Sequence, residues 1–95
     1  MALYQELHTN ENNGEKNFSF ELKSNFNMVC TFLPKNSNEE NRYVIADTEG
    51  NVIRKGTFIK EIELKLNDVP KGNYELVLFN STDRESFNFK ISTPV

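Results

Sequence analysis

The chain contains no tryptophan, one cysteine and one histidine in 95 residues, and each scarcity removes a class of chemistry. Cys30 has no second thiol, so an internal disulfide and a zinc-binding cysteine pair are both excluded; within the apolar run 28–33 it reads as a small core residue. His8 has no second histidine with which to hold a metal, and no serine or cysteine is spaced to use it as a base. Neither sign of charge dominates: eleven Lys and Arg against fourteen Asp and Glu leave a net charge of −3, with no basic track interleaved with aromatics for a nucleic acid. The longest apolar runs, such as Leu76 to Phe79, are too short to cross a bilayer as a helix, and the first twenty residues lack the apolar core of a secretory signal. No membrane insertion and no cofactor are expected. The localisation implied is open, a surface or virion assembly among the options.

Helical periodicity is missing too, and a period of two stands in its place. Phe18, Phe20 and Leu22 alternate with Ser19 and Glu21; Met28, Cys30 and Phe32 follow; Tyr43 and Ile45 lie beyond a polar loop; then come Val52-Ile53, a run from Phe58 to Leu66, Tyr74-Leu76-Leu78 and Phe87-Phe89-Ile91. Alternation of this kind marks strands with one buried face. Glu49-Gly50 and the segment 68–73, with Pro70 and Gly72, supply turn chemistry between them. Seven short strands at this spacing predict an all-β, antiparallel β-sandwich over residues 17–95, and one domain of this size buries roughly two-thirds of its unfolded surface without a metal or disulfide. Residues 1–16 form an arm and polar linker: Leu3, Tyr4 and Leu7 are apolar, and the stretch that follows is Asn- and Glu-rich.

The sixth strand opens with Pro70-Lys71-Gly72-Asn73-Tyr74 and continues through Leu76. This resembles the immunoglobulin-like fold, in which a tyrosine near the start of strand F hydrogen-bonds back across the preceding corner. The resemblance implies a structural corner of Pro70, Gly72 and Tyr74, with Cys30 on the strand matching B and Leu76 where antibody-type domains carry the bridging cysteine. From Tyr43 to Ile91, the Gly50 turn and the Pro-Lys-Gly-x-Tyr corner look similar to bacterial immunoglobulin-like modules of flagellar hook-capping proteins and C-terminal sorting domains. That likeness covers about half the chain, and a seven-stranded immunoglobulin-like sandwich with an N-terminal extension is what it implies.

Residues suited to catalysis do not gather. Asp47-Thr48-Glu49-Gly50-Asn51 has the alternating oxygens of a cation loop, but without the later bidentate glutamate it reads as a hairpin turn. Glu39-Glu40 and Asp83-Arg84-Glu85 read as solvated loop charges rather than a carboxylate pair facing a sugar. No nucleophile, base and orienting group can be named together, so no enzymatic activity is expected.

Geometry points to contact surfaces instead. If Tyr74, Leu76 and Leu78 face the core, Val77 and Phe79 face outward, and Val44 and Ala46 do the same when Tyr43 and Ile45 point in. In an immunoglobulin-like sheet these strands are neighbours, so Val44, Ala46, Val77 and Phe79 make an apolar outer stripe beside the polar Ser86, Asn88 and Lys90. Either Leu3, Tyr4 and Leu7 of the arm cover that stripe within one subunit, or stripe and arm meet another protein, most simply a second copy. A donated N-terminal strand would need only main-chain hydrogen bonds at a neighbour's sheet edge. The expected role is a non-enzymatic structural protein that assembles with itself. The alternative is a small carbohydrate-binding module using the loops 34–41 and 80–85.

Overall fold

The computed structural model of the protein describes residues 2–5, 17–23, 26–34 and 37–92. Its strands are β1 (Ala2–Gln5), β2 (Phe18–Lys23), β3 (Asn27–Phe32), β4 (Asn41–Asp47), β5 (Val52–Phe58), β6 (Glu61–Lys65), β7 (Gly72–Phe79) and β8 (Arg84–Ser92). They form a five-stranded sheet in the order β1-β8-β7-β4-β5 and a three-stranded sheet in the order β2-β3-β6, and every pairing is antiparallel. The described residues contain no α-helix. The seven strands expected from the alternation correspond to β2 through β8, and residues of the arm add β1.

The core lies between the sheets, where the inward phase of each strand meets that of the other layer. Phe18, Met28, Cys30, Phe32 and Leu64 come from the small sheet, and Ile45, Phe58, Tyr74, Leu76, Leu78, Phe89 and Ile91 from the large one. Burying one such Leu, Ile or Phe side chain stabilises the fold by about 1.5–3 kcal/mol relative to exposure. Ring contacts fasten the layers internally: Phe18 and Phe32 lie with centroids 5.1 Å apart, and Tyr74 stacks on Phe89 at 5.6 Å. Phe20 meets Phe87 at 4.7 Å across the gap between the sheets.

One expected boundary moves. The run from Phe58 to Leu66 is two elements: Phe58 ends β5 in the large sheet, Ile59 and Lys60 turn, and β6 begins in the small sheet at Glu61. Lys60 adopts a left-handed φ of 71°, and its carbonyl accepts the Phe32 amide at 2.7 Å. The chain thus changes layer in two residues. Because Phe58 and Leu64 both point to the core from opposite layers, the apolar phase survives the turn and hides it.

Gly56 has a specific reason to lack a side chain. It sits opposite Tyr43 in the β4–β5 pairing, and a Cβ placed there would lie 2.7 Å from the Tyr43 hydroxyl and 2.8 Å from two of its ring carbons. The tyrosine ring therefore lies across bare backbone near the β5 edge.

Candidate partner-binding face

Inward-facing Ile45, Tyr74, Leu76 and Leu78 leave residues 42, 44, 46, 75, 77 and 79 on the outer surface of the large sheet. Register then sets the neighbours: Val44 lies directly opposite Val77, and Phe79 opposite Arg42. Ala46 has Glu75 on one side and, across a β-bulge between Ile45 and Ala46, Val52 on the other. Residues directly opposite in an antiparallel pair share a face, so Val52 joins the stripe. It is 54% exposed, whereas Val77 at the centre is 8% exposed. Val44, Ala46 and Phe79 are half-buried. Val52 is the member that sequence reasoning missed, because only the bulge brings it onto this surface and no residue type announces that bulge.

Charged and polar residues frame the stripe. Phe79 is flanked by Arg42 on β4 and Arg84 on β8, while Val44 has Lys55 beyond it and Val77 has Ser86. A concavity of about 360 Å³ is lined by Val44, Lys55, Gly56, Arg42 and Phe79 among others. A second, of about 440 Å³, lies at the loop end and is lined by Glu39, Glu40, Arg42, Phe79, Asn80 and Ser81. Arg42 and Phe79 belong to both, so the two hollows adjoin.

The loop end is built by amide chemistry. Asn41, fully buried, donates from Nδ2 to the Glu39 carbonyl at 3.2 Å and accepts Asn80 Nδ2 at 2.9 Å. Ser81 donates to Glu39 Oε2 at 2.6 Å, and Asn80 Oδ1 accepts the amides of Thr82 and Asp83 at 2.9 and 2.8 Å. The loops 37–41 and 80–83 are thereby joined to one another beside Phe79.

Glu85 departs from its sequence reading. It lies at the inward phase of β8, opposite Leu78, and is 3% exposed rather than a solvated loop charge. Its Oε2 accepts the backbone amides of Phe18 at 2.9 Å and Asn17 at 3.1 Å, while Oε1 is buried without a hydrogen-bond partner. The Asn17 carbonyl accepts the Leu33 amide at 2.7 Å. These bonds fasten the start of β2 to the start of β8. The inward count along Phe87, Phe89 and Ile91, extended back two residues, reaches Glu85 and was the available signal.

The remaining candidates are dispersed. At the corner, Tyr74 donates its hydroxyl to the Pro70 carbonyl at 2.5 Å, and Gly72 holds a φ of 151° with its hydrogen facing the Tyr74 ring. Burial, and secondarily the negative charge of Asp47, raise the Tyr74 phenol above its ordinary value. The Asp47 carboxylate is occupied by the turn: Oδ1 accepts the amides of Glu49 and Asn51, both at 2.9 Å. The Asn51 amide is the main cause that lowers the Asp47 pKa. Leu3 and Tyr4 lie on β1 in register with Ile91 and Lys90, at the sheet edge beyond β8 rather than across the stripe. Leu7 and His8 fall outside the described residues. Cys30 is fully buried, and desolvation pushes its thiol up to about 12. Compared with known protein families and with curated proteins, the chain matches none.

Proposed function

We propose that the protein is a non-enzymatic structural protein, an immunoglobulin-like sandwich with an N-terminal extension, that assembles with itself into a larger surface, filament or virion assembly. The observation that carries this reading is the stripe of Val52, Ala46, Val44, Val77 and Phe79 on the outer side of the large sheet. A solvated sheet face in an antiparallel sandwich is ordinarily polar, and a contiguous apolar band framed by charge is how a partner surface is made. Strand order and the bond from Tyr74 to the Pro70 carbonyl support the immunoglobulin-like assignment. The arm enters because β1 lies along β8 through main-chain pairing, and a second copy offers the same edge.

The test is Phe79→Asp in the full chain, read by light scattering and electron micrographs. The expected result is loss of the assembled species with an unfolding free energy within about 0.5 kcal/mol of wild type, since the residue lies outside the core cluster. A variant that assembles as wild type does, or a wild-type protein of 11.0 kDa at every concentration, overturns the reading. A second reading, a carbohydrate-binding module, is favoured by the hollow of about 440 Å³ between the joined loops. It requires binding on a glycan array that Asn80→Ala and Arg42→Ala abolish.

A further inference from the structure

The two outer faces of the sandwich carry the same three-strand motif with opposite charge. On the large sheet, Arg42, Phe79 and Arg84 lie side by side across β4, β7 and β8. On the small sheet, Glu21, Val29 and Glu63 lie side by side across β2, β3 and β6. In each triplet the central apolar residue is half-buried and both charged residues are exposed. Neighbouring strands lie about 4.8 Å apart, so the two like charges are about 10 Å apart in both cases.

The correspondence continues along the strands. Glu40 precedes the arginine row, while the glutamate row is flanked by Lys23 and Lys65, both opposite Asn27. One orientation of the two faces therefore sets Arg42 and Arg84 against Glu21 and Glu63, and Glu40 against the lysine row. The ion pairs these groups make within the chain, Arg42 to Glu40 at 3.9 Å and Lys23 to Glu21 at 3.5 Å, are long and exposed and leave them free to exchange partners.

We propose that copies of this chain stack head to tail, the outer face of the large sheet of one seated on the outer face of the small sheet of the next. The inference rests on the self-assembly reading and names the surface that Phe79 meets. A two-fold contact would set arginines against arginines or glutamates against glutamates, and like-charge juxtaposition is strongly unfavourable. A contact between unlike faces leaves one free face at each end, so it propagates into a filament or closes into a ring. The smaller face limits the contact: its three strands at about 4.8 Å by six residues at about 3.4 Å cover about 300 Å² per partner. A stable complex needs about 800 Å² per partner, so each contact is weak and grows with concentration and with any help from the arm.

The experiment uses two full-length double variants, Arg42→Glu with Arg84→Glu, and Glu21→Arg with Glu63→Arg. Each makes its two faces alike in sign, so each alone should self-associate at least about a hundredfold more weakly than wild type by sedimentation velocity. Mixed in equal amounts they are complementary again and should associate as wild type does, in alternation; this recovery also demonstrates that both variants are folded. Added salt should weaken wild-type association. Stacking is overturned if either variant associates alone as wild type does, or if the mixture fails to recover. If the variants behave as wild type while Phe79→Asp dissociates, stacking falls and the apolar-face reading stands. If wild type never associates, both fall.

Discussion

Replacing Glu85 with alanine removes the one acceptor shared by the amides of Asn17 and Phe18. The Phe18 amide is buried and has no route to water, and an unsatisfied buried donor costs about 1–3 kcal/mol. The Asn17 amide is only part-buried and can be rehydrated, so its loss contributes about 0.5 kcal/mol. Against these stands a gain: Oε1 is buried without a partner, and its removal relieves that desolvation. The net destabilisation expected for Glu85→Ala is about 2 kcal/mol. In a domain of this size that lowers the midpoint of thermal unfolding by about 8–16 °C. Glu85→Gln keeps an oxygen for the two amides but makes the bonds neutral and sets an NH2 group where no acceptor lies, so it should be destabilised as well, by about 1–2 kcal/mol. Exposed Glu49→Gln is the control and should melt as wild type does. Amide hydrogen exchange distinguishes the mechanism from general loosening, because protection should fall first at residues 17 and 18. If Glu85→Ala melts within about 2 °C of wild type, with unchanged protection at Phe18, the buried carboxylate is not the anchor of β2.

Other consequences are local. Gly56→Ala forces a methyl group to within 2.8 Å of the Tyr43 ring, so urea midpoints should report about 1–3 kcal/mol of destabilisation, part of which Tyr43→Ala recovers in the double variant. Cys30, with its thiol pushed up to about 12 by burial, should resist iodoacetamide at pH 8 until the protein unfolds, and rapid labelling of native protein would contradict the packing. Its raised value contributes stability that is complete below pH 9.0, where the unfolded thiol titrates, and is lost as pH rises toward about 12; Cys30→Ala should flatten that alkaline limb. Asp47 has the opposite sign: its lowered value contributes stability present above pH 3.8 and lost as pH falls through the folded value, so urea midpoints of Asp47→Asn should depend less on acid.

Strand existence was legible because burial on one side imposes a period of two, and Phe18, Met28, Ile45, Leu76 and Phe89 each keep the phase that alternation assigns them. Layer assignment was less so. Phe58 and Leu64 belong to different sheets although they share one apolar phase, since a residue that points to the core from above and one that points to it from below look alike in a one-dimensional pattern. The pairing of Ala2–Gln5 with β8 was not legible, because nothing in Leu3 or Tyr4 specifies that edge and main-chain pairing uses atoms that every residue has. Glu85 was misread because charge was weighed before phase.

The candidate face divides along the same line. Val44, Ala46, Val77 and Phe79 follow from alternation plus one assumed neighbour relation, whereas Val52 requires the bulge. The charged triplets require more still. Arg42, Phe79 and Arg84 come from three strands, as do Glu21, Val29 and Glu63, and only the pairing registers place either set in a row. Alone, each charge reads as an ordinary solvated side chain. A shift of one residue in any pairing would turn Phe79 or Val29 toward the core and break the row, so the complementarity of the two faces depends on the register that builds the core. Core and proposed assembly surface are therefore specified by one alternation read from its two sides, and on the stacking proposal substitutions that slip a strand should remove association before they abolish the sheet.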